Sequence, residues 1–138
     1  MEYELIEALI KKEQISSRGQ FIKDIALDDY LKKIKSNAEF VSHYAEGQCV
    51  GFVAFYCNDP SRRNAFITLV LVSPDFRGQG ISQKLIRYVL DICKKRRFEA
   101  CSLEVLRGNQ FAVQVYKRIG FKIVSERNGK IFMRTLLG

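Results

Sequence analysis

Tryptophan is missing from this chain, proline occurs twice and histidine once, at His43. The four cysteines, Cys49, Cys57, Cys93 and Cys101, form no C-x-x-C pair. One imidazole and scattered thiols supply too few ligands at usable spacing for a zinc site, so no metal is expected. The thiols are read instead as small core hydrophobes. His43 lies in the strand-like EFVSHYA and is assigned no role. No apolar stretch approaches the roughly 20 residues that a membrane-spanning helix needs; the most apolar, AFITLVLV, runs only from Ala65 to Val72. The opening MEYELIEALIKKEQ is acidic and amphipathic, without the apolar centre of a secretion signal. No membrane partner is expected, and a cytoplasmic location is.

Acidic side chains are in the minority, 15 against 23 basic ones, giving a formal charge of +8. Such a balance suits an anionic partner or a solvated surface. The basic residues are spread over KKEQISSR, KKIK, CKKRR and YKRIGFK, at the polar faces or ends of expected helices. No zinc-finger or RNA-recognition signature accompanies them. Nucleic acid is therefore not the expected partner, and a basic nucleic-acid-binding domain stays as the less favoured alternative.

What is present is a chain of 138 residues, 47% of them hydrophobic, which suits one globular domain over residues 1–138. Apolar periodicity predicts a helix over 3–14, with Leu5, Ile6, Leu9 and Ile10 on one face. A second helix is expected over Leu27–Asn37 with Asp28 as N-cap. EFVSHYA and QCVGFVAFYC read as a hairpin around EGQ, and AFITLVLV reads as a central strand covered on both faces. A helix from about Gly80 to Lys95 follows, then the strand EACSLEVL. NQFAVQVYKRIG reads as a short helix capped by Asn109 and stopped by Gly120. Asn128-Gly129 between two alternating runs predicts a closing hairpin. The result is a mixed α/β (α+β) domain with an antiparallel hairpin at each end of the sheet and one parallel crossover.

The segment SPDFRGQGIS joins the central strand to the long helix. A helix start offers unpaired N–H groups and a partial positive charge, both suited to phosphate. Gly78 and Gly80 let the backbone approach a ligand closely, and Arg77 adds charge. A simple turn would use the same residues. The spacing fits neither the phosphate-loop nor the dinucleotide fingerprint.

Arg77-Gly78-Gln79-Gly80-Ile81-Ser82 instead resembles R/Q-x-x-G-x-G/A, the pyrophosphate loop of the GNAT superfamily of N-acetyltransferases, with Ser82 where Gly or Ala is usual. LEVLRGNQFAVQVYKRIGF is similar to the strand and helix that follow in that family, and the likeness continues from about Gly47 to Met133. The family usually opens with a strand, whereas this chain begins almost directly in a helix. The resemblance implies a short single-domain member with a central, mostly antiparallel mixed sheet, a splayed parallel strand pair and flanking helices. It implies acetyl-CoA as cosubstrate, lying in the splayed gap and bound by the backbone of Val70, Leu71 and Val72, by Arg77, Gly78, Gln79, Gly80, Ile81, Ser82 and Gln83, and by Asn109.

By the same resemblance Tyr116 protonates the departing CoA thiolate; its other reading is a core aromatic. Glu104 sits in mid-strand, where a carboxylate is poorly placed unless paired, and could accept the proton of an incoming amine. The spacing of twelve from Glu104 to Tyr116 resembles the subgroup that acetylates protein N-terminal amines. A salt-bridged surface glutamate is the alternative. Tyr56, Asn58 and Asp59, expected on the side where the loops gather, lie in a stretch that resembles a segment of short members of the family from surface-sugar gene clusters. They could hydrogen-bond a polar amine or sugar, although Asn-Asp-Pro is also ordinary turn chemistry. The expected activity is acetyl transfer to a small amine, an amino-sugar or a peptide N-terminus, directly in a ternary complex. A non-catalytic acyl-CoA-binding or sensing domain is the alternative. Members of the family are often dimers, which leaves a homodimer open.

Overall fold

The computed structural model describes residues 2–23 and 25–138. Two helices come first, α1 (Glu2–Ser16) and α2 (Leu27–Asn37). Then follow β1 (Glu39–Ala45), β2 (Gln48–Tyr56), β3 (Asn64–Val72), α3 (Ile81–Lys95), β4 (Ala100–Leu106), α4 (Gln110–Ile119), β5 (Lys122–Arg127) and β6 (Lys130–Leu136). The sheet order is β1-β2-β3-β4-β6-β5. Every neighbouring pair is antiparallel except β3–β4, the parallel crossover through α3. This is the expected mixed, mostly antiparallel sheet with flanking helices. A 3-10 turn at Pro74–Phe76, which the sequence gives little sign of, precedes α3.

Both hairpins close on two residues with left-handed backbone, Glu46-Gly47 and Asn128-Gly129. That geometry matches the twist of the strands they join. Two expectations need correction. Asp28 does not cap α2: Ala26 holds that position without a side-chain bond, and Asp28 and Asp29 lie in the first turn, where they favour the positive helix end through space. Leu5 does not share the buried face of α1; it is 43% exposed, while Ile6 and Ile10 are buried.

Each face of the sheet has its own core. Ile6, Ile10, Leu31 and Ile34 from α1 and α2 pack on Phe52, Ala54, Leu69 and Leu71. On the other face, Ile81, Leu85, Ile86 and Val89 of α3 and Val113 of α4 pack on Val53, Phe55, Ala65, Ile67 and Leu103. The start of α3 comes close to β2 because Gly51 lacks a side chain. A Cβ there would stand 3.2 Å from Ile81 Cγ2 and 3.4 Å from the Leu71 carbonyl oxygen. Cys57, Cys93 and Cys101 are buried free thiols and Cys49 is half-buried. Burial raises the Cys57 thiol to about 12, so it stays protonated. Among the described residues no cluster could hold a metal ion, and no helix is long and apolar enough to cross a membrane.

Candidate active site

A one-residue irregularity in β3 creates the site. Ala54 of β2 pairs with Leu69 and Phe55 with Ile67, so Thr68 is left without a partner. An extra residue of this kind bends its strand and reverses the alternation of side chains. Ala65 and Ile67 belong to the α3 core, but beyond Thr68 it is Val70 and Val72 that pack on that side, and Leu69 and Leu71 join the α1–α2 core. The parallel pairing of β3 with β4 stops at the same level, at Ile67 with Leu103. Below it the two strands are also tied by side chains: the Ser102 hydroxyl donates to Asn64 Oδ1 at 2.8 Å. Above it they separate, as expected for the splayed pair.

The separation opens a cavity of about 440 Å³, bordered by residues 66–70 of β3, Leu103 to Leu106 of β4, Asn109 and Tyr116. Its remaining wall comes from the α1–α2 connection, from Tyr30 and Lys33 of α2, and from Lys130. Glu104 and Tyr116 approach it from opposite faces of the sheet. Leu103 and Val105 point into the α3 core, so Glu104 between them projects to the other side and is exposed. Tyr116 packs against the α3 core with its ring edge-on to Phe121, centroids 6.1 Å apart. Burial pushes its phenol up to about 12, which keeps it protonated at neutral pH. Asn109 caps α4, its Oδ1 accepting from the Ala112 N–H at 3.2 Å.

Tyr30 was not singled out from the sequence, yet it reaches the irregular strand directly. Its hydroxyl lies 3.0 Å from Thr68 Oγ1 and donates to the Thr68 carbonyl at 3.3 Å. Burial raises the Tyr30 phenol above its ordinary value, and the Thr68 bond partly offsets the rise. Tyr56 lies close enough to affect Tyr30 electrostatically. Its buried hydroxyl has no partner among the described residues.

The glycine-bearing loop sits at the carboxyl end of β3. Gly78 and Gly80 take φ of +80° and +76°, a left-handed conformation that residues with a Cβ adopt at a cost. Gly80 is the N-cap of α3 and makes no side-chain cap; the first helical bond runs from the Lys84 N–H to the Gly80 carbonyl. The N–H groups of Ile81, Ser82 and Gln83 therefore point out of the helix start. Arg77 Nε donates to the Val72 carbonyl at 2.9 Å, and its Nη2 reaches Glu13 of α1 at 3.1 Å. This loop does not border the cavity, and neither do Leu71 and Val72; they continue from it along β3.

Asn58 and Asp59 lie elsewhere. Because β2 runs antiparallel to β3, the end of β2 lies beside the amino end of β3, away from the glycine loop. There the two residues border a separate hollow with Arg62, with Lys95 at the end of α3 and with residues 96–98 that follow it. Asp59 is held within its own turn by Ser61, which also keeps its carboxyl below the usual range. The expectation that this segment meets the other loops is thus corrected by strand direction.

The profile of the acetyltransferase (GNAT) family matches residues 5–121. The chain is 39% identical over 97 residues to an uncharacterized N-acetyltransferase of Methanocaldococcus jannaschii, a match covering 67% of this chain and 42% of that protein. It is 31% identical over 87 residues to a thialysine N-epsilon-acetyltransferase of Sus scrofa, covering 61% and 51% respectively. The chain thus spans about half the length of the curated relatives it matches. PaiA N-acetyltransferase of Thermoplasma acidophilum, solved in complex with coenzyme A, shares the fold with a TM-score of 0.69 at 21% identity, over 96% of this chain and 78% of that one.

Proposed function

Because the chain belongs to the acetyltransferase (GNAT) family, we propose that it moves an acetyl group from acetyl-CoA to a primary amine by direct transfer in a ternary complex. The acceptor classes are a small amine, an amino-sugar or a peptide N-terminus. The observation that carries the reading is the end of β3–β4 pairing at Ile67 and Leu103, which opens a gap where Glu104, Asn109 and Tyr116 border one cavity. The coenzyme A complex of the related fold and the thialysine acetyltransferase among the relatives support donor and acceptor class respectively.

In this reading the pantetheine arm pairs with the backbone of Val70, Leu71 and Val72, and Asn109 holds it from the other side. The pyrophosphate lies on the loop and helix start at Arg77 to Gln83, where N–H groups and the helix dipole favour negative charge. The amine enters from the α1–α2 face and gives a proton to Glu104, directly or through water. Its nitrogen lone pair then forms the C–N bond at the thioester carbonyl. A backbone N–H near Val70 stabilises the oxyanion, and the C–S bond breaks as the carbonyl re-forms. The sulfur takes a proton from Tyr116, and the surplus proton on the new amide nitrogen returns through water to the Tyr116 oxygen. A phenol near 12 is a weaker acid than an ordinary thiol at about 8.5, so Tyr116 acts first as a hydrogen-bond donor, its proton moving as the C–S bond lengthens.

The test is thiol release from acetyl-CoA across a panel of amines, for the unaltered chain and for Glu104→Gln and Tyr116→Phe. Amine-dependent release that falls by roughly 100- to 10,000-fold in either variant is expected. Unchanged rates in both variants would refute the assigned roles.

A further inference from the structure

The wall of the cavity facing Glu104 is cationic. It is built by Gln20 to Lys23 and Ile25 of the α1–α2 connection and by Tyr30 and Lys33 of α2. Tyr30 and Lys33 are three apart, so both project from one side of the helix. Lys23 and Lys33 are exposed, and among the described residues neither has a carboxylate within ion-pair distance. Of the described residues bordering the cavity, Glu104 alone is a carboxylate. Phe21, Ile25 and Phe66 add apolar surface to the same lining.

An ammonium drawn to Glu104 thus shares the cavity with two lysine side chains from a different wall. A substrate carrying only further positive charge, such as a polyamine, would meet repulsion on that wall. A substrate whose second group is an anion would satisfy both ends. We propose that the acceptor is an amine that also carries a carboxylate or a phosphate, with Lys23 and Lys33 holding the anion while Glu104 meets the amine. The two lysines set acceptor specificity and take no part in bond making. This inference rests on the acetyltransferase reading above.

Two matched acceptor pairs test it, lysine against cadaverine for a carboxylate and phosphoethanolamine against ethanolamine for a phosphate. kcat/KM is measured at saturating acetyl-CoA, alongside the acetyl-CoA-induced rise in Tm. In at least one pair the anionic member should be favoured tenfold or more. Lys23→Met and Lys33→Met should each lower that ratio toward one, through the KM of the anionic member. Both side chains are exposed, so the variants should fold and keep the acetyl-CoA shift. The pair with the larger ratio identifies the anion. Equal or better turnover of both members that lack the anion overturns the proposal, as does a ratio that neither substitution changes. An acetyl-CoA shift with no turnover of any of the four amines also overturns it, while leaving the donor site intact. Absence of that shift removes the underlying reading and the proposal with it.

Discussion

At the scale of single residues, Tyr116 links packing to chemistry. The burial that raises its phenol to about 12 keeps it protonated, as the proposed transfer to a leaving sulfur requires. The same shift affects stability. A folded pKa above the unfolded value of about 10 gives a contribution fully present below pH 10 and lost as pH rises through 12. Between those limits the unaltered chain should lose stability relative to Tyr116→Phe, by on the order of 2 kcal/mol, when unfolding is followed in denaturant at each pH. Parallel pH profiles for the two chains would show that the phenol is not desolvated. Asn109 separates two roles in a different way. Asn109→Ala removes the cap on Ala112 and should cost about 1 kcal/mol. Asn109→Ser keeps a capping oxygen; if the amide also holds the donor, Tm is retained while the Kd for acetyl-CoA rises. A Kd unchanged in Asn109→Ser would reduce Asn109 to a cap.

At the scale of elements, the unpaired Thr68 determines where β3 and β4 part, and Tyr30 holds it there. Tyr30→Phe removes both contacts to Thr68 and leaves the ring in place. Loss of one or two such bonds should lower stability by about 1 kcal/mol. If the Thr68 geometry positions the oxyanion N–H, kcat should fall more than tenfold with little change in the KM for acetyl-CoA; a kcat fully retained would show that β3 keeps its bend without help. This element also marks the limit of what the sequence tells. The hairpins were legible because Asn-Gly and Glu-Gly each fix a turn, and α4 because a cap and a stop flank one apolar stripe. The irregularity was not, because AFITLVLV is apolar on both faces and a reversal of alternation leaves no trace in such a run. Thr68, the one polar residue within it, was the available signal. Tyr30 was equally hidden: its partner is 38 residues away and belongs to that same unread feature. Asn58 and Asp59 were misplaced for a topological reason, since strand direction, and not loop chemistry, decides which end a loop joins.

At the scale of the molecule, unequal coverage of the sheet makes the site reachable. Helices α1 and α2 pack over β1 to β3, while on the same side the face of β4, β6 and β5 carries the exposed Glu104, Leu106 and Arg134. A substrate can therefore reach Glu104 from solvent, while Tyr116 stays packed within the opposite core. The formal charge of +8 is not gathered onto one element, and the lysines of the cavity wall are only a small part of it. A donor held by backbone N–H groups and apolar contacts should tolerate salt better than one held by surface charge alone, where bound counterions are released.

That difference makes thermal unfolding with and without acetyl-CoA, at low and moderate salt, the most direct test of a donor site between β3 and β4. Acetyl-CoA at about 100 times its Kd should stabilise the fold by roughly 2.7 kcal/mol, a rise in Tm of several degrees for a chain of this size. The rise should persist in moderate salt. A Tm that does not move at either salt would contradict the donor site, and with it the acetyl transfer that depends on it.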